Sequence, residues 1–273
     1  MREIVYNAEP ELRRPAAFFA AGATDLRAGL PLGWRLFRSN LRVRYRRSWL
    51  GYVWLLLPAL GTAALAAFIQ SRRIVSFAPT ELPYPLFVLA GIILWQLFGE
   101  ALNAPLQQLQ AGRQLVTRSR VPHEALIAAG ALEVVLNAGI RLVVLLAALA
   151  WFGVVPGAGL LLVPAGMAAL LVLGLALGLL LAPLGLLYDD IGRGLTLVLS
   201  FGFFLTPVVY PIPAGSLLRF NPLAPPIDTV RHGISGAGAA PGFLAVAAGA
   251  VLLLAVAWFC YRLARPHFTA RLG

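Results

Sequence analysis

Apolar side chains fall into long unbroken blocks, and short stretches between them carry most of the charge. The blocks run over about 50–71, 84–104, 125–151, 159–187, 192–210 and 242–263. A helix needs about 20 mainly apolar residues to cross the bilayer core, and each block reaches or approaches that length. None alternates with the period of two that marks a membrane β-barrel strand. The pattern predicts an all-α membrane protein with six transmembrane helices. Between the last two blocks, residues 211–241 are rich in Pro and Gly and only moderately apolar. They are too broken to span, and predict short re-entrant or interfacial helices on the periplasmic side.

Ahead of the first block the period changes. Trp34, Phe37, Leu41 and Tyr45 share one helical stripe, and Arg35, Arg38, Arg42 and Arg46 share the adjoining one. A basic amphipathic helix with aromatic residues on its other face rests in the membrane interface. Pro31 suits its first turn. A plain positively charged anchor before the first span explains the same residues, and the two readings are compatible. The chain thus divides into a cytoplasmic tail (1–30), an interfacial helix (31–49), a six-helix transmembrane domain (50–263) and a cytoplasmic C-terminal tail (264–273).

Composition agrees with the pattern. Of 273 residues 60% are hydrophobic and 12% charged, whereas an ordinary soluble domain is roughly 45–50% apolar and about 25% charged. Mean hydropathy is +0.82. The net charge of +11 comes from 22 arginines and no lysine against 11 acids. In a soluble protein that surplus would suggest nucleic acid. In a membrane protein its position matters more. With the N-terminus inside, 17 of the 22 arginines fall on the cytoplasmic side, so both termini are cytoplasmic and nucleic acid is not expected as a partner. Cys260 can form no internal disulfide, and His123, His232 and His267 show no metal-ligand spacing. Without lysine there is no G-x-x-x-x-G-K-[ST] phosphate loop. If transport is ATP-driven, ATP and magnesium belong to another polypeptide, and no cofactor is expected here.

Several segments carry a specific resemblance. They are WRLFR from Trp34, LRVRYRRSWLGYVWLLLP from Leu41 to Pro58, and PYPLF from Pro83 with Ala90, Gly91 and Trp95 beyond it. LVTRSRVP from Leu115, LYDDI from Leu187, FFLTPVVYP from Phe203 and NPLAP from Asn221 follow in order. Together they resemble the type-2 ABC transporter permeases that export polysaccharides, including the O-antigen, capsule and teichoic-acid systems. Asn40 stands where that family often has an acid, Asp189 where it usually has Arg, and the outer linker 214–220 is short. The resemblance implies a transport subunit in the bacterial inner membrane, not an enzyme. It implies pairing with a second copy of itself, association with two ATPase subunits, and a lipid-linked polysaccharide as cargo. The loop that follows the second span is basic and short. Gln114, Leu115, Val116, Arg118, Arg120, Val121 and Pro122 are expected to contact the ATPase subunit; a positive-inside loop with no partner is the alternative.

Other residues are open to more than one reading. Asp189 and Asp190 precede the fifth span, where acids favour the helix dipole. They either cap that helix, act with Pro207 as a gate or hinge that touches Arg42 or Arg46, or hold a metal for a diphosphate substrate. Glu133, Asn137 and Arg141 recur every four residues and share one face of the third span. Arg141 either pairs inside the bundle or meets a passing pyrophosphate. Tyr52, Trp54, Phe201, Phe204 and Tyr210 either line a sugar path, offering ring faces to pyranose C–H surfaces, or anchor helices in the bilayer. Arg38, Arg42 and Arg46 are placed to hold the phosphates of an incoming lipid head. Gly174-x-x-x-Gly178 permits close helix contact, within the chain or between copies. Two other functions fit less of the pattern. One is a related permease for drugs or lipids. The other is an intramembrane enzyme acting on polyprenyl diphosphate, which would need a second acidic cluster.

Overall fold

The structure is a computed structural model that describes residues 15–46, 53–72, 80–112, 121–155, 157–212 and 216–272. Among these residues it is all-helical, with no strand. The first helix, α1, is Pro15–Arg46. It begins earlier than expected, so residues 15–30 of the expected N-terminal tail are helical and Pro31 lies inside the helix. The alanine-rich stretch 16–23 favours helix and outweighs the backbone N–H that Pro31 cannot supply. At the other end, α8 is Phe243–Leu272. It absorbs nearly all of the expected C-terminal tail.

Between them lie α2 (Val53–Ser71), α3 (Tyr84–Ala111), α4 (His123–Trp151), α5 (Leu162–Leu187), α6 (Asp190–Leu205) and α7 (Ala224–Ser235). Short 3₁₀ turns at Ala158–Leu161 and Leu217–Phe220 precede α5 and α7. Among the described residues four stretches are long and apolar enough to cross a membrane: Tyr84–Ala111, His123–Trp151, Ala158–Leu187 and Phe243–Arg265. The apolar stretch Val53–Phe68 is shorter. Helix α6 has 16 residues, or about 24 Å at 1.5 Å per residue, against a hydrocarbon core of about 30 Å. The expected fifth block ran to 210, but the helix stops at Leu205. Pro207 disfavours helical backbone at the residue before it, and Thr206 is extended at φ −112°, ψ 141°.

Helix α3 is apolar on every side from Pro85 to Trp95, and such a stretch is stable only when surrounded. It packs on α2, α4, α5, α6 and α7, and Leu86, Ile93, Leu94, Leu97 and Ala101 have no exposed surface. Helix α5 lies between α3 and α8, with α7 across its beginning. The α3–α5 seam is closed by Gly174 and Gly178. A Cβ on Gly174 would sit 2.7 Å from Ala101 Cβ and 2.9 Å from the Phe98 carbonyl, and one on Gly178 would overlap the Leu102 carbonyl. The small-residue pair therefore serves contact within the chain. Helix α2 applies Ala59, Ala63 and Ala66 to the core and leaves Trp54, Leu57, Leu60, Leu65 and Phe68 exposed.

The bundle has two chemically distinct ends. At the α1 end, Arg262 on α8 pairs with Asp25 on α1 at 3.1 Å, and Arg265 pairs with buried Glu124 at the start of α4 at 3.0 Å. His123 meets the Tyr261 hydroxyl at 2.8 Å. The α7 end gathers the start of α3, the end of α6 and α7 itself.

Candidate functional site

A helix that stops inside an apolar layer leaves its last carbonyls without intrahelical donors. Non-helical backbone at membrane depth is tolerated where protein surrounds it. Helix α6 leaves its last carbonyls in this way at Leu205, and six consecutive carbonyls find donors there. The Tyr210 hydroxyl donates to Phe204 O at 2.6 Å, and Asn221 Nδ2 donates to Leu205 O at 3.0 Å. The Val208 amide donates to Thr206 O at 2.7 Å. Arg231 donates to Pro207 O at 2.8 Å and to Val208 O at 2.7 Å, and the Tyr84 hydroxyl donates to Val209 O at 3.1 Å.

The Arg231 guanidinium is the centre of this knot. It is 4% exposed, lies 3.5 Å from the centroid of the Phe87 ring, and also donates to Phe87 O at 3.4 Å and to Asp228 at 3.5 Å. A cation over a ring face is worth up to about 2 kcal/mol when desolvated. Burial lowers Arg231 to about 10, so it stays charged at neutral pH, and burial raises the Asp228 carboxyl. Gly91 makes the approach possible, because a Cβ there would overlap the Val208 carbonyl. Asn221 also accepts from the Leu223 amide at 2.9 Å and donates to Thr206 Oγ1 at 3.0 Å. The segments beginning at Pro83, Phe203 and Asn221, far apart in sequence, thus meet at one place.

A second polar seam joins α3 to α4. Glu100 receives both terminal nitrogens of Arg141 and, at 3.1 Å, the amide of Asn137. One α3 turn pair further on, Gln108 donates to Glu133 at 3.2 Å and faces Asn40 of α1 at 3.5 Å. An ionisable group in a bilayer is costly unless paired, and here each carboxylate meets a donor.

The sequence model of the family described as "ABC-2 type transporter" matches residues 32–234, which contain the knot, the seam and every segment that carried the resemblance. The chain belongs to the ABC-2 type transporter family. As such it is a multi-pass membrane protein. It is 26% identical over 181 residues to the O-antigen export system permease protein RfbA of Myxococcus xanthus, covering 65% of this chain and 67% of that protein. It is 24% identical over 199 residues to a protein of the same name from Klebsiella pneumoniae, covering 71% and 76%.

Within this ABC-2 chain the site residues expected from sequence scatter. Gln114, Leu115, Val116, Arg118 and Arg120 lie outside the described residues, as does Tyr52; Val121 and Pro122 are half-buried at the start of α4. Arg38 and Arg42 are exposed along α1, and the side chain of Arg46 lies outside the described residues. Asp189 and Asp190 are exposed. Asp189 makes no capping hydrogen bond, and Asp190 pairs with Arg193 one turn on at 3.4 Å. Trp54, Phe201 and Phe204 are exposed at 59%, 68% and 70%, the last two on the open face of α6. Tyr210 is half-buried and bonded to the α6 terminus. Pro207 is buried under Arg231. Arg141 is 1% exposed and held by Glu100, so it presents no open face to a ligand.

Sequence reasoning missed Arg231 entirely, treating it as one of a few arginines on the outer side. It also missed the hydrogen-bonding roles of Tyr84 and Asn221, although both stand in segments that carried the resemblance. A signal existed: Arg231 stands one helical turn after Asp228 in a short segment that also carries Thr229 and His232, a polar group that needs partners nearby.

Proposed function

We propose that this chain is the transmembrane permease subunit of an ATP-driven exporter that moves a lipid-linked polysaccharide from the cytoplasm across the bacterial inner membrane. The observation that carries this reading is its similarity to O-antigen export permeases over about two thirds of each chain. The chain has no lysine and so no phosphate loop of its own. Two ATPase subunits bind ATP and magnesium, and the loop 114–122 docks on them.

Six spans cross the membrane, with α2 and α6 completing the four longer ones, and both termini are cytoplasmic. The α1 end is then cytoplasmic and the α7 end periplasmic, with α7 an interfacial or re-entrant helix. Exposed apolar faces on α2 and α6 support a channel formed between two copies of the chain. Trp54, Phe201 and Phe204 would line it, offering ring faces to sugars without fixing a sequence. The exposed Arg38 and Arg42 of α1 lie in the interface and hold the phosphates of the lipid carrier. Arg141 belongs to the packing of α3 on α4.

The test is genetic and biochemical together. Deleting this chain should abolish surface polysaccharide while the lipid-linked polymer accumulates inside. Gentle extraction of a tagged chain should recover an ATPase subunit. Undiminished surface polysaccharide in the deletion strain overturns the reading.

A further inference from the structure

Helix α6 is held unevenly along its length. Among its buried side chains is only Leu195, while Leu197, Val198, Phe201 and Phe204 are all more than half exposed. At its first turn Asp190 and Arg193 are both more than 80% exposed and pair with each other rather than with another helix, so this half is held by apolar contacts of Ile191 and Leu195 and by no polar bond to another helix. Toward the other end, Phe203 meets Trp95 of α3 edge-on at 6.1 Å. Beyond Phe204, all carbonyls through Val209 are bonded, and the donors come from α3, from α7 and from the segment between α6 and α7.

We propose that Arg231 is a positioning residue for transport: it fixes segment 206–210 to α3 and α7, making this the anchored end of α6 and leaving the Asp190 end free to swing. The guanidinium suits this task for a geometric reason. Its planar fork directs several N–H groups at once, and here it bonds Pro207 O, Val208 O and Phe87 O while its face rests on the Phe87 ring. One side chain thereby ties three chain segments. The anchor lies at the break that Pro207 imposes, where the two sides of α6 and its return segment could otherwise rotate independently. The aromatic pair Phe201 and Phe204 sits just inside the anchored end, so its place in the bundle depends on Arg231. The transport consequence rests on the export function proposed above; the anchoring itself does not.

Hydrogen exchange of the full chain in lipid nanodiscs, followed by mass spectrometry, separates the two. In the unmodified chain, amides of 190–197 should exchange faster than those of 203–210. Arg231→Met should raise exchange across 203–210 at least tenfold and leave 88–104 of α3 unchanged. Arg231→Lys keeps a cation over Phe87 but loses the fork, and should fall between. In cells, Arg231→Met should lower polysaccharide export at least fivefold at equal membrane abundance, with recovery of the ATPase subunit unchanged and partial rescue by Arg231→Lys. Should Arg231→Met fail to accumulate, Tyr84→Phe removes one hydroxyl from the knot and should raise exchange at 207–210 by a smaller factor. Unaltered exchange at 203–210 in these variants overturns the anchor. Faster exchange with full export reduces Arg231 to a structural residue and overturns its role in transport. If the unmodified chain exports nothing, the export reading fails, and the exchange pattern still decides the anchor.

Discussion

Arg141 and Arg231 are both almost fully buried, but they answer different demands. Arg141 neutralises Glu100 between two spans. Arg231 supplies donors to backbone that no helix can satisfy. Removing one member of a buried pair leaves the other charge uncompensated, at about 3–5 kcal/mol. Glu100→Leu should therefore lower stability by about 3 kcal/mol, and the double change Glu100→Leu with Arg141→Met should recover most of that loss. Thermal unfolding in detergent checks both; a double variant no better than the single one contradicts the pairing. Glycines divide in the same local way. Gly178→Leu drives a side chain into the Leu102 backbone and should prevent accumulation of folded chain, whereas Gly139→Ala, with open space around it, should be tolerated. Fluorescence-detected size exclusion of the two variants distinguishes them.

At the scale of elements, the informative feature is where helices stop. Hydropathy located α3, α4, α5 and α8 to within a few residues at most ends, because a long apolar run in a bilayer has helix as its one cheap conformation. It failed at boundaries set by something other than hydropathy. The end of α6 depends on Pro207 and on side chains from other segments, and the early part of α1 on alanine content and on contact with α8 through Gly22 and Asp25. Asn221 shows the dependence directly: it caps α6 from sixteen positions away and starts the turn into α7. Asn221→Leu should cost about 1 kcal/mol, since a typical intramolecular hydrogen bond contributes about 0.5–1.5 kcal/mol and these bonds are exposed or half-buried. The loss should appear as a lower unfolding temperature and as earlier proteolysis within 206–223. Cleavage there at the unmodified rate would show that Asn221 is dispensable.

For the whole molecule, the two ends of the bundle differ in kind. The α1 end is tied by ion pairs between α1, α4 and α8; the α7 end is tied by hydrogen bonds to backbone carbonyls. Each of these pairs joins a buried member, Arg262 or Glu124, to a partly exposed one, so the α1 end carries charge out to its surface. That suits the end proposed to face the ATPase subunits. Replacing residues 118–122 by Gly and Ser should leave the bundle folded but reduce recovery of the ATPase subunit and abolish export. Export at the unmodified level would move the docking site elsewhere. Of the candidate residues, those on open faces (Trp54, Phe201, Phe204, Arg38, Arg42) were legible as surface chemistry. Arg141 and Pro207 were legible only as residue types, since their partners lie on other helices.

The sequence by itself determined the helical class, the placement of the long apolar helices and the family resemblance. Each depends on local composition or on motifs read in order. Tertiary structure alone decided which polar groups meet. Glu100 with Arg141, Asn221 with the end of α6, and Arg231 with Phe87, Pro207 and Val208 are pairings across helices. A buried polar group must find a donor or acceptor, but hydropathy and periodicity do not say on which helix that partner stands. The packing of α3 against α4, α5 and α7 decides it.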